Sequence, residues 1–152
     1  MDMKFTCTKE NLHKALQMTG TVANRTSNLP ILSNILLEAT DSGVTLSSTN
    51  LEIAVQVQLR AKVEQVGSFT VPAKTFGDYV NLLRSEQVEI FVEGEQLIVK
   101  GGQASTKITG QSAEEYPVIP EASRDIEFSA KAGVLKQQFS QVVFAAAKNE
   151  IR

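Results

Sequence analysis

The sequence predicts an α+β domain with an internal pseudo-repeat, two helices packed against antiparallel sheets. Three observations carry this. A strand-to-helix unit with one apolar spacing recurs near residues 5, 69 and 128. Short runs rich in β-branched residues fill the intervals. Tight-turn signals divide those runs into hairpins.

The first unit, "KFTCTKENLHKAL", reads as a strand entering a helix. From Phe5, the positions 7, 11 and 14 residues on are Leu12, Leu16 and Thr19, one stripe of a helix. From Phe69 the same offsets reach Phe76, Val80 and Leu83, and from Phe128 they reach Leu135, Phe139 and Val142. Eight of these nine positions are apolar, and the markers lie 64 and 59 residues apart. Units this short cannot bury a core alone, so they are expected to stack on one another. Between them, "ILLEAT", "GVTLSST", "EIAVQVQLR", "VEIFVEG", "EQLIVKG" and "TKITG" read as strands. "DSG" (41–43) and "EGE" (93–95) read as hairpin turns, and Pro72 sits where a helix start tolerates a missing N–H. The expected order is strand, helix and three strands, given twice. The domain is expected to span 1–125, with "YPVIPEASRD" as the linker. A third unit is expected to open at Ile126 and to stop at Arg152, so 126–152 reads as a truncated start of a second domain. Its apolar stripe has nothing after it to cover it, which forgoes roughly 1.5–3 kcal/mol per exposed side chain.

Composition narrows the class. The 152 residues are 42% hydrophobic and 21% charged, with no run near the length of a membrane span. No signal peptide is evident. Cys7 is the sole cysteine, which excludes an intrachain disulfide and suits a reducing, cytoplasmic compartment. The net charge of −2 argues against a simple basic nucleic-acid binder unless the charge is unevenly placed. Residues 9–25, 73–84 and 131–148, the helical regions, together carry +6, and the remainder carries −8. Two readings follow: a solvated basic face, or helices sharing one surface that faces a polyanion. A bias this mild suits loose, salt-sensitive tracking rather than a tight grip.

Chemistry-bearing patterns are sparse. His13 is the only histidine and lies beside Lys14 on the polar side of the first helix, so it reads as solvated or polyanion-facing rather than catalytic. With one His and one Cys, neither a zinc cluster nor a Cys–His pair is supported. "VKGGQAS" lacks the helix and Lys-Ser/Thr of a phosphate loop and reads as a hairpin turn. "EGE" and "AEEY" read as exposed turn carboxylates. Cys7 reads as a packing residue. No cofactor or metal is expected.

"NRTSNLPILSNILLEA" (24–39), with "TNLEIAV", "FTVPAKTF", "EGEQLIVKGG" and "EEYPVIP", resembles the bacterial β sliding clamp, the beta subunit of DNA polymerase III, from Met3 to Arg152. The resemblance implies the DNA-clamp (processivity) fold. It implies a homodimer ring of three-domain subunits around double-stranded DNA, with helices lining the hole and sheets outside. It implies a non-catalytic tether for DNA polymerase III and the clamp loader, with no membrane. Residue by residue, it places Arg25 and Lys74 at DNA, with Asn149 at a polar DNA-contacting position. Lys148 beside it suits a phosphate by charge. Arg152 borders the pocket that receives partner peptides. The edge strand 103–108, holding Thr106 and Ile108, matches the surface that meets the partner subunit. Two other classes stay open: an α+β protein-interaction domain with no DNA role, and a small-molecule enzyme, which the missing acid/base constellation disfavours.

Overall fold

The computed structural model describes residues 3–23, 29–120 and 127–146. The chain divides into two compact units, Met1–Ile119 and Pro120–Arg152.

In the first unit, β1 (Lys4–Thr8) runs directly into α1 (Lys9–Ala23). A short 3-10 turn, Pro30–Ser33, leads to β2 (Asn34–Thr40), β3 (Gly43–Thr49), β4 (Ala54–Leu59) and β5 (Ala61–Gln65). The second half repeats the plan with β6 (Gly67–Pro72), α2 (Ala73–Leu82), β7 (Gln87–Glu93), β8 (Gln96–Gly101) and β9 (Ala104–Thr109). The expected turns are present. Gly94 and Gly102, between their strands, adopt φ of +59° and +61°, a left-handed conformation that glycine reaches without a Cβ penalty.

The sequence reading missed β5. Its segment, AKVEQ, is an edge strand paired to β1, and only Ala61 and Val63 are packed against the core. An edge strand with one shallow face lacks the apolar alternation that marks a strand.

The two halves exchange strands. One sheet runs β5-β1-β7-β8-β9 and the other β4-β3-β2-β6. Thus β1 of the first half pairs with β7 of the second, and β6 of the second pairs with β2 of the first. An isolated bridge from Thr70 to Gln111 stands beside β6 as β5 stands beside β1. One core results, shared by both sheets and both helices. The expected stripe forms its centre: Phe5, Leu12, Leu16, Thr19, Phe69, Phe76, Val80 and Leu83 are all buried. Thr19, the one polar member, is satisfied. Its hydroxyl donates to the Ala15 carbonyl at 2.9 Å, and its carbonyl accepts from Ser48 Oγ at 2.7 Å.

Three of the quoted motifs meet in space. Buried Asn34, just after "LPIL", donates from Nδ2 to Thr70 Oγ1 at 3.2 Å and to Gln111 Oε1 at 3.4 Å. The Tyr116 hydroxyl of "EEYP" donates to the Asn34 carbonyl at 3.4 Å. These bonds fix the chain leaving β9 onto the second sheet.

In the second unit, α3 (Ala132–Val142) ends in a 3-10 turn, Val143–Ala145. The expected strand at Phe128 is not formed: residues 127–131 have no regular structure and Phe128 is exposed. A strand requires a hydrogen-bonding neighbour, which local sequence does not supply. The stripe positions Leu135, Phe139 and Val142 are exposed.

Candidate nucleic-acid interface

α1 and α2 pack side by side. Each turns its apolar stripe into the core and a polar row outward, because 3.6 residues per turn separates the two faces. The rows flank a groove of about 280 Å³ lined by His13, Gln17 and Thr21 from α1, and Lys74, Asp78 and Asn81 from α2. Sequence reasoning singled out His13 and Lys74 but missed Gln17, Thr21 and Asn81. Their spacing of three and four residues along each helix was the available signal.

Lys74 is exposed in the first turn of α2, and among the described residues no carboxylate lies within ion-pair distance of its ammonium. The other site residues, Arg25, Lys148, Asn149 and Arg152, lie outside the described residues.

The charge partition is weaker than the sequence count. Lys9 is not on the outward face. Its ammonium donates to the Asn81 carbonyl at 3.1 Å and to the Leu83 carbonyl, and so caps the C-terminus of α2. Lys14 is outward but paired to Glu10 at 2.6 Å, one helical turn away. Lys14's hydrogen bond and charge hold the Glu10 carboxyl below the ordinary carboxylate range. Arg84 follows α2 rather than lying in it. The outward row of the two helices therefore sets Lys14 and Lys74 against Glu10 and Asp78, close to balance. Counting by sequence window included residues past the helix ends and could not tell a capping lysine from an exposed one.

On the five-stranded sheet, Lys4 bridges Glu89 at 2.9 Å and Glu64 at 3.1 Å, tying β7, β1 and β5. Hydrogen bonds to Glu89 and Glu64 raise the Lys4 pKa, and Lys4 in turn lowers that of Glu89. Lys107 of β9 approaches Glu93 of β7 at 3.6 Å.

Cys7 is buried, and burial pushes its thiol up to about 12, so the nucleophilic thiolate is suppressed at neutral pH. Among the described residues no group of three or more His, Cys, Asp or Glu could hold a metal ion, and no helix is long and apolar enough to cross a membrane.

A strand-exchanged α+β repeat that presents a paired-helix face defines a clamp-type module. A family profile described as "DNA polymerase III beta subunit, N-terminal domain" matches residues 3–120, and the chain belongs to that family. It is 31% identical over 153 residues to the beta sliding clamp of Haemophilus influenzae, covering 99% of this chain and 42% of that relative. A crystal structure of the DNA polymerase sliding clamp from Bacillus subtilis superposes with a TM-score of 0.91 at 28% identity, covering 100% of this chain and 42% of that one. The sliding clamp of Pseudomonas aeruginosa gives 0.86 at 30% identity, covering 99% and 42%. The chain thus spans about two-fifths of the length of these relatives.

Proposed function

We propose that this chain is part of a DNA sliding clamp, a non-catalytic processivity factor that encircles duplex DNA and tethers the replicative polymerase. Residues 1–125 form its first clamp domain and 126–152 open its second. The observation that carries the reading is the paired-helix face of α1 and α2, polar and nearly charge-balanced, on a fold of this family. Such a face suits sliding. A ring holds DNA because it is closed, so its wall needs only weak phosphate contacts, and base contacts would oppose movement. Lys74 faces the duplex from the groove, and Arg25, Lys148 and Asn149 act with it. Arg152 borders the pocket for peptides of DNA polymerase III and the clamp loader. The edge strand β9, which has no strand on its outer side among the described residues, meets the partner subunit of a homodimer ring. The setting is the bacterial cytoplasm.

The test is charge reversal, Arg25→Glu with Lys74→Glu, in a full-length ring that contains this segment. Retention on closed circular DNA, or loading onto it, should weaken while folding is unchanged. No change in either would favour the protein-interaction reading and remove this one.

A further inference from the structure

The helix that carries Lys74 grows from an edge strand. The four-stranded sheet runs β4-β3-β2-β6, and α2 follows β6 directly at Pro72. Pro72, the N-cap of α2, gives its first turn no side-chain hydrogen bond. Among the described residues the outer side of β6 is fastened by one isolated bridge, in which Thr70 and Gln111 exchange backbone bonds of 3.0 Å. Asn34 stands at this junction and is bonded on several sides. It pairs with Pro72 across β2 and β6. Its N–H donates to the Ile31 carbonyl and closes the 3-10 turn that leads into β2. Its carbonyl accepts from the Tyr116 hydroxyl at 3.4 Å. Its Nδ2 donates to Thr70 Oγ1 at 3.2 Å and to Gln111 Oε1 at 3.4 Å. Thr70 Oγ1 in turn donates to the Gln111 carbonyl at 3.0 Å. Asn34 is 6% exposed and Thr70 is 0% exposed. Burying an amide and a hydroxyl costs free energy that an apolar rung would not. What they add is direction, since a hydrogen bond fixes geometry where an apolar contact tolerates slip.

We propose that Asn34, through Thr70, is a positioning residue for the DNA-facing row of α2: it locks the edge strand from which the helix starts, and so sets where Lys74 stands. The inference rests on the clamp reading of Lys74 above. Lys74 lies two residues after Pro72, in the first turn. Any slip of β6 against β2, or against the segment 111–116, therefore moves it directly. Asn34 and Thr70 are both buried, so both act through the helix rather than on DNA.

The test is a double-mutant cycle in a full-length ring that contains this segment, read as lifetime on closed circular DNA across a salt series. Thr70→Val keeps the shape of the side chain and removes its hydroxyl. It should give most of the loss of lifetime that Lys74→Gln gives, and should add little to that loss when the two are combined. Thr70→Ser keeps the hydroxyl and should keep the wild-type lifetime. Tyr116→Phe removes only the bond to the Asn34 carbonyl and should shorten the lifetime less; it carries the cycle should Thr70→Val not fold. Val99→Ala, a buried change in β8, is the stability control and should leave the lifetime unchanged despite a lower melting temperature. Wild-type lifetimes in Thr70→Val and Tyr116→Phe, with Lys74→Gln impaired, would overturn the positioning role and leave the clamp reading in place. Losses that simply add in the combined variant, or an equal loss in Val99→Ala, would show a general effect of stability and overturn it as well. A wild-type lifetime in Lys74→Gln would instead remove Lys74 from the DNA-facing row, and this inference with it.

Discussion

Gly110 lies so close to Thr70 that a Cβ placed on it would fall inside the contact radius of the Thr70 carbonyl oxygen and would lie 2.7 Å from Cζ of Phe69. The Gly110 N–H donates to the Glu95 carbonyl at 3.0 Å, and the next residue, Gln111, exchanges two backbone hydrogen bonds with Thr70 at 3.0 Å each. This is where the chain crosses from one sheet to the other, and only a residue without a side chain fits.

Gly110→Ala should therefore destabilise the first unit by about 1–3 kcal/mol or more, since backbone and a buried ring must both shift. Gly77→Ala, inside α2 with nothing within 4 Å of the added carbon, should stabilise by roughly 0.5–1 kcal/mol. Urea unfolding midpoints measure both. Equal effects of the same sign would contradict this account of the crossing.

Lys9→Met should lower stability by about 1 kcal/mol, because it leaves the last carbonyls of α2 without their cationic cap. Lys14→Gln removes only an exposed pair and should cost well under that. The comparison is again by denaturant midpoint, and a reversed order would mean that Lys9 is a surface charge after all.

The thiol of Cys7 should be nearly inert to a water-soluble thiol reagent at pH 8 until the chain is unfolded. Its folded pKa, about 12, lies above the ordinary 9.0 because burial disfavours the thiolate. A raised pKa gives stability that is complete below pH 9.0 and lost as pH climbs toward about 12. Cys7→Ala should flatten that alkaline limb in a plot of melting temperature against pH. Rapid labelling of the native chain would show that β1 opens readily.

At the acid end the sign is opposite. Lys14 depresses the Glu10 carboxyl, and Lys4 depresses that of Glu89. Their contribution is present above the ordinary value of 4.5 and fades as pH falls through the lower folded values. Glu10→Gln should make the melting temperature less sensitive to pH below that point. An unchanged acid limb would mean that the Glu10–Lys14 pair contributes nothing to folding.

Much of the fold was legible from local pattern. Phe5, Leu12 and Leu16, and their counterparts Phe69, Phe76 and Val80, occupy equivalent buried positions because the helical period fixes which side chains share a face. The turns at Gly94 and Gly102 were legible because few residues tolerate their backbone angles. At the site, Lys74 was found and its groove neighbours Gln17 and Asn81 were not, since polar outward positions look alike in sequence whether or not a second helix stands beside them. β5 escaped because an edge strand with one shallow face leaves little periodicity to read.

What the sequence by itself determined is the set of local elements and the apolar stripes, since both depend on spacings of a few residues. The tertiary structure alone decided that the halves exchange β1 and β6, that Lys9 serves as a cap rather than a surface charge, and that Gly110 must be glycine. Each of these depends on groups tens of residues apart in the chain. Their meeting is set by which faces must be buried together, and no local spacing encodes that.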